Sequence, residues 1–391
     1  MTLLAAAVDS DVIPPLWRIL TKFGYFAGLA AVMGSSIVHV AALRPALRDE
    51  STSPSDRDAL RRRSARVMAW SGVVLLVALY PQLAGKAARA TDGMSFGEGL
   101  EPSSVWAYLT VPKPDDVWIS PNFLVLVTYV LFAASGVLAV LLFRCSPDRV
   151  EKIASVNAPL IVIAQLVTAI PGTLDGQNAD TWTMTVLSYA HPIAACTWVG
   201  GIVSLVALAG ARSRLSAAGG LVWARIWRRF SVVAEVCVGI VVVSGLWLGW
   251  KSVGSPAQLW ETPYGRFLLL KVALVATLVL FGAFNEFVLL PRIARLRAAG
   301  DTRSVFAVAV GHFPRVVAIE AVVGIAVLAV VPFLNGSARE QAGGAAEPPA
   351  TGAIFTAVFV LFALVVMAFF VNLRMHDRID NPEVAERAGV R

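Results

Sequence analysis

The chain has 391 residues, of which 57% are hydrophobic and 15% are charged, and its mean hydropathy is +0.70. Soluble domains usually carry about 25% charged residues, so this composition excludes a disordered chain and disfavours a soluble globular enzyme. Three cysteines exclude a disulfide-rich scaffold and a multi-cysteine metal protein. The net charge of +7 does not indicate nucleic-acid binding, because the arginines fall in short runs between long apolar segments.

Nine stretches are long and apolar enough to span a membrane as helices. The predicted spans are Phe23–Leu43, Val67–Gly85, Asn122–Phe143, Ile153–Ile170, Met184–Leu208, Ser231–Trp250, Phe267–Leu290, Val316–Leu334 and Ile354–Val371. Backbone polar groups find no partner in lipid, so each span is predicted to be helical, and no alternating β-barrel pattern is present. The predicted fold is therefore an all-α polytopic membrane protein with about nine transmembrane helices.

The orientation follows from the distribution of lysine and arginine. The segments 44–66, 144–152, 210–229, 291–315 and the tail from 373 hold 24 of these residues, whereas the alternate segments hold eight. Basic residues mark the cytoplasmic side, so the N-terminus is predicted outside and the C-terminus inside. Residues 1–20 lack a basic start and lead into a full-length span, so we expect the first helix to remain in the mature protein.

A weak internal similarity suggests a repeat. Residues 30–43 (AAVMGSSIVHVAAL) resemble residues 195–208 (ACTWVGGIVSLVAL), and an arginine-rich loop follows both. Two parallel units of four helices would result, with residues 1–172 as the first half and 173–335 as the second. Residues 336–391 would hold a linker, the ninth helix and the tail. Chance similarity between helices rich in alanine and valine is the equal alternative.

His191 is the most informative ionisable residue within a span, since such residues usually face a bundle interior or a cavity. Pro192 follows it and cannot donate to the carbonyl four residues back. Met184 lies seven residues earlier on the same helix face, and Asp175 and Asp180 precede it in the outer loop, so these residues offer carboxylate, thioether and imidazole along one path that a metal ion from outside would follow. Imidazole and thioether are reasonable copper ligands, so His191 and Met184 are the candidate metal ligands. The alternatives are a histidine that only hydrogen-bonds a neighbouring helix and a methionine that faces lipid.

Acidic residues mark the cytoplasmic ends of two later spans. Glu286 and Glu320 could line an inner vestibule that releases a cation, or they could pair with loop arginines near the interface. Cys196 and Cys237 are more typical of buried packing than of ligands. No phosphate-binding loop, dinucleotide fingerprint, HExxH or GxSxG motif is present, so we expect no nucleotide cofactor and no enzymatic activity.

Residues 187–335 resemble the copper resistance protein D (CopD) family of bacterial inner-membrane proteins. The resemblance is carried by His191–Gly201 (HPIAACTWVGG), Arg229–Ser231, Ser244–Gly245, Thr262–Arg266 (TPYGR), Leu268–Lys271 (LLLK), Asn285, Pro291, Arg315 and Glu320. The first four spans resemble the family only in layout. At Glu286 the family usually has a basic residue, which is a departure at the inner end of the seventh span.

The resemblance implies a protein of the bacterial cytoplasmic membrane that moves copper across it, often beside a periplasmic copper carrier of the copper resistance protein C (CopC) type. A second hypothesis is an accessory or assembly subunit for a copper-dependent membrane enzyme. A third is a haem-b electron carrier, for which His39 and His191 are a poor pair because they are predicted near opposite membrane faces. Under each hypothesis we expect the protein to be surrounded by membrane lipid and not to bind nucleic acid.

Overall fold

The computed structural model describes residues 13–50, 52–173, 179–211, 214–216, 219–285 and 313–344, with single residues at 177, 288, 356 and 360. Every regular element in these ranges is helical. Eight helices are long and apolar enough to cross a membrane, which confirms the predicted fold class. They are α1 (Leu16–Leu47), α2 (Pro54–Ala90), α3 (Pro121–Phe143), α4 (Val150–Ala169), α5 (Asp180–Ala209), α6 (Gly219–Ser252), α7 (Pro263–Phe284) and α8 (Val316–Phe333).

These eight helices coincide with the first eight predicted spans, and several extend beyond the apolar stretch. Helix α2 begins at Pro54, where the Ser53 side chain accepts a hydrogen bond from the backbone N–H of Asp56. A serine N-cap and a proline in the first turn both favour a helix start at this point. The charged residues from Pro54 to Arg66, which precede the predicted apolar span, are therefore part of the helix. The ninth predicted span, Ile354–Val371, lies outside the described ranges apart from residues 356 and 360.

Helix α1 changes its winding near its end. Its α-helical turns run to Ile37, a π-helical segment spans Val38–Leu43, and α-helical turns resume at Arg44. Pro45 follows closely, and a proline in a helix has no N–H and crowds the carbonyl four residues earlier. The wider π turn relieves this crowding and changes which way the residues within it face, including His39.

Helices α1 and α5 form the centre of the bundle. Helix α1 packs against α2, α4 and α5, and α5 packs against α6 and α8. A Cβ atom on Gly200 would overlap the carbonyl of Ala30, and one on Gly34 would overlap the backbone of Gly200. The two helices therefore cross in backbone contact, as small residues allow in membrane bundles. Helix α7 lies at the periphery, with only 6% of its apolar window buried.

Helix α2 also contacts α5 and the segment that follows α5, at the end of the bundle that carries residues 44–66, 144–152 and 210–229, here called the basic end. The carboxylate of Asp56, which is fully buried, accepts hydrogen bonds from the backbone N–H and the hydroxyl of Ser216 at 2.7 and 2.6 Å. Arg63 Nε donates to the carbonyl of Ala207 at 2.7 Å. The division into halves at residues 172 and 335, and their origin as repeats, remain predictions.

Candidate metal site

His191 lies inside the bundle on α5 and is held by a residue of α6. Its Nδ1 atom is 2.9 Å from the hydroxyl oxygen of Ser244, which is fully buried. The Ser244 hydroxyl also donates to the carbonyl of Ile240, one turn earlier in its own helix. A hydroxyl has a single hydrogen, so towards His191 it acts as an acceptor, and Nδ1 carries the imidazole proton. The Nε2 atom therefore carries the lone pair that a metal ion would use.

Gly245, next to Ser244, lies beside this imidazole. A Cβ atom on Gly245 would lie 3.4 Å from His191 Cε1 and 3.8 Å from Nδ1. Ser244 thus supplies an acceptor for the ring, and a side chain at position 245 would make only ordinary contact with it. His191 lies 11 residues into α5, or about 16 Å from its start at Asp180. This is deeper than the 10–12 Å that the predicted start at Met184 gives, because the helix begins four residues earlier.

The other predicted ligands on the outer path are only partly brought together. Met184 is half-buried, two turns or about 10 Å from His191 along the same helix. Asp175 lies outside the described residues. Within the described ranges no three histidine, cysteine or acidic side chains are grouped so that they could hold a metal ion. The pairing of His191 with Met184 therefore stays a prediction.

Asp180, predicted as an entry carboxylate, forms an ion pair. Its carboxylate is 2.9 Å from the Lys251 ammonium at the end of α6, and its side chain is 58% exposed. The same ammonium lies 5.1 Å from the ring centroid of Trp250 and 5.8 Å from that of Trp247. A copper ion that approaches Asp180 would therefore compete with a lysine already in place.

A second cation acts on the candidate ligand from α7. The Lys271 ammonium is close enough to the His191 imidazole to interact with it electrostatically. Lys271 closes the LLLK motif of the family resemblance. Its positive charge opposes cation binding at His191 as long as it is protonated.

Glu320 of α8 is the predicted inner acidic residue that the structure describes. It is 3% exposed, and its Oε1 atom accepts a hydrogen bond from the side-chain amide of Asn285, just past the end of α7. The side-chain oxygen Oδ1 of Asn285 is buried without a hydrogen-bond partner among the described residues. Glu286, the next residue, lies outside the described residues. Glu320 thus lies buried between two helices.

The haem-b hypothesis finds no support in the positions of the two described histidines. Helices α1 and α5 run in the same direction and cross where Gly200 lies between Ala30 and Gly34. His39 is about seven residues from this crossing towards the basic end, and His191 is nine residues from it in the other direction. At 1.5 Å per residue they are about 24 Å apart along the helices, too far to be axial ligands of one haem iron.

The chain is thus a polytopic helical membrane protein in which a partly buried imidazole is oriented by a neighbouring helix. Comparison with known families identifies the class more closely. The family description "Copper resistance protein D" matches residues 224–334, and "Copper resistance protein D-like, N-terminal domain" matches residues 12–169. Together they cover more than two thirds of the chain, and the chain belongs to the copper resistance protein D family.

These matches support family membership for the N-terminal region and do not cover the segment that contains His191. The N-terminal half, which by sequence reasoning shared only the family's layout, matches a family description of its own. Residues 170–223, which include His191, lie between the two matched ranges. The case for His191 as a ligand therefore depends on its chemistry and on its contact with Ser244.

One relative of known name is also connected with copper. The chain is 30% identical over 227 residues to a protein named "Copper transport protein CutJ" from Bacillus subtilis (strain 168). The match covers 58% of this chain and 40% of the relative, so this chain corresponds to less than half of that protein's length. No solved structure matches the chain.

Proposed function

We propose that this protein carries copper ions across the bacterial cytoplasmic membrane. The observation that carries the proposal is the His191 imidazole, which Ser244 orients inside a polytopic bundle with the Nε2 lone pair available. A metal-ligating histidine usually donates its other N–H to a fixed acceptor, which is the role assigned here to Ser244. The family is named for copper resistance, and the relative CutJ for copper transport.

The proposed route runs from the outer end of α5 to the basic end. Asp175 and Asp180 would meet the ion first, Met184 and His191 would bind it inside the bundle, and Glu286 and Glu320 would attract it towards the cytoplasm. Thioether and imidazole groups are good copper ligands, whereas carboxylates would bind the ion more weakly and release it more readily. Successive sites of moderate affinity allow an ion both to enter and to leave.

The proposed orientation places the basic end in the cytoplasm and the N-terminus outside. Its support is the 24 basic residues in segments on that side against eight on the other. A copper donor outside, such as a CopC-type periplasmic carrier, would then approach the end that holds Asp180 and Lys251. A reporter fused after Arg391 should be located in the cytoplasm, so a reporter that works only in the cytoplasm should be active and one that works only in the periplasm should be inactive. Periplasmic activity of that fusion would overturn the orientation.

Copper movement is tested directly with purified protein in proteoliposomes that enclose a copper-sensitive fluorophore. Wild-type protein should produce copper-dependent quenching that empty liposomes, and liposomes with an unrelated membrane protein, do not produce. Binding of copper without flux would contradict transport and would favour an accessory role beside a copper-dependent membrane enzyme. A visible haem absorption band in the purified protein would instead favour electron transfer.

A further inference from the structure

The N-terminal region contains a second described histidine, which is not part of the copper route proposed above. His39 lies in the π-helical turn of α1, about 12 Å from the basic end of that helix, and its side chain is fully buried. Its Nδ1 atom is 2.7 Å from the hydroxyl of Ser64 on α2. Its Nε2 atom is buried and has no hydrogen-bond partner among the described residues.

An unpartnered buried imidazole nitrogen is costly. If the Ser64 hydroxyl donates to Nδ1, then Nε2 bears a proton with no acceptor, which costs about 1–3 kcal/mol. If Nδ1 donates to Ser64 instead, then Nε2 presents a lone pair into the protein interior. Each buried unsatisfied atom in a native protein calls for an explanation, such as a bound ion. π-Helical turns occur frequently at functional sites, which makes this position a reasonable one for a ligand.

A soft sulfur donor lies one helical turn from Ser64 on α2. Met68 is fully buried and follows Ser64 by four residues, so the two share a face of α2. Side chains of a helix lean towards its N-terminus, and the N-terminus of α2 is at the basic end, so Met68 leans towards the level of Ser64 and His39. Val40, next to His39, packs against the buried cluster that contains Met68.

The surroundings of His39 are polar, which is unusual inside this bundle. One turn towards the outer end, the Asn157 amide nitrogen is 3.3 Å from Ser36 Oγ, and its oxygen accepts from Ser135 at 2.6 Å. Towards the basic end, the Glu151 carboxylate lies between Arg61 at 2.6 Å and Arg44 at 3.6 Å. Arg61 also lies 3.8 Å from the Asp148 carboxylate, so two carboxylates balance the two guanidinium charges and a monovalent cation at His39 does not face an unpaired arginine from this cluster.

We propose that His39 Nε2 and the Met68 thioether form a second copper site, specific for Cu(I), in the N-terminal half. Imidazole suits copper and thioether selects its Cu(I) state. The Ser64 hydroxyl would accept a hydrogen bond from Nδ1–H and orient the ring, as Ser244 does for His191. The choice of ion rests on the proposed copper transport. The site would hold the ion about 24 Å further along the bundle than His191.

The test measures Cu(I) binding to the purified full-length protein in a His191→Ala background, with a chromophoric Cu(I) chelator as competitor. This background should still bind a single Cu(I) ion, with one sulfur and at least one nitrogen neighbour by X-ray absorption. Adding His39→Gln, which keeps a hydrogen bond to Ser64, should abolish that binding. Absence of Cu(I) in the His191→Ala protein, or unchanged binding after His39→Gln, would overturn the proposal.

Met68→Leu provides a second variant that conserves volume and is expected to fold. It should remove the sulfur neighbour from the spectrum and weaken binding. Met33→Leu is the matched control, because Met33 is another buried methionine of the same half, and it belongs to a different apolar cluster. A sulfur signal that survives Met68→Leu would contradict the site. Loss of copper flux with intact Cu(I) binding would refute transport alone, so the two proposals fail separately.

Discussion

His191 and Ser244 join the fifth and sixth membrane helices through a side-chain hydrogen bond of 2.9 Å, although 53 residues separate them in the chain. Because Ser244 also donates to its own helix, the bond specifies which imidazole nitrogen carries the proton. The distance alone does not distinguish a hydrogen bond that only links the two helices from one that orients a metal ligand. The two roles differ in whether the Nε2 lone pair of His191 binds copper, which copper-binding and copper-uptake measurements can show.

Ser244→Ala should weaken copper binding at His191 without removing the ligand. Loss of a partner that orients a metal-binding histidine typically lowers metal affinity about 10–100-fold. The copper concentration that gives half-maximal uptake should therefore rise, with equal amounts of protein in the membrane. Ser71→Ala is the matched control, since Ser71 is a buried serine that donates to its own helix at the Val67 carbonyl. Equal uptake curves for both variants would show that Ser244 does not position a ligand.

Glu320→Gln should slow copper passage and leave the fold intact. The amide keeps the shape of the side chain and can still accept from Asn285, while the negative charge that attracts a cation is lost. Copper accumulation in cells at equal expression is the measurement. Glu261→Gln, at an exposed position, removes a carboxylate away from the proposed route and should leave accumulation unchanged. If both variants behave like wild type, the carboxylate of Glu320 has only a structural role.

Gly200→Ala should prevent stable assembly of the bundle. The added Cβ would overlap the carbonyl of Ala30, and neither backbone can yield without separating α1 from α5. Overpacking of a tight core typically costs about 1–3 kcal/mol, and a clash between two backbones is at the upper end or beyond. Gly249→Ala, in α6, meets nothing within 4 Å and serves as the control. The fraction of monodisperse protein in detergent should fall for the first variant alone. Equal recovery of the two would contradict the helix crossing described above.

The transmembrane helices could be predicted because hydrophobic length is a local property of the sequence. Their full extents could not, since the turns that continue α2 down to Pro54 are rich in arginine and lie beyond the apolar stretch. Capping by Ser53 and the proline at the first turn are local signals that would have found this start.

The candidate site was predictable only as single residues. His191, Met184 and Glu320 stand out because ionisable and soft side chains are rare in membrane spans. Their partners depend on which helices pack together, and nothing local in the sequence states that Ser244 contacts His191 or that Lys251 pairs with Asp180. The same holds for Asn285, which sequence reasoning placed in the family motif without a contact to Glu320.

The most direct test of the central claim compares copper uptake by His191→Ala, His191→Gln and Met184→Leu with wild type, at equal membrane abundance. If the Nε2 lone pair of His191 binds copper on its way across the membrane, both His191 variants should lose most of the uptake. Met184→Leu should show a smaller deficit, because it replaces one donor of the proposed pair. Glutamine can replace a structural hydrogen bond to Ser244 but not a copper-binding imidazole, so normal uptake by His191→Gln would contradict the account.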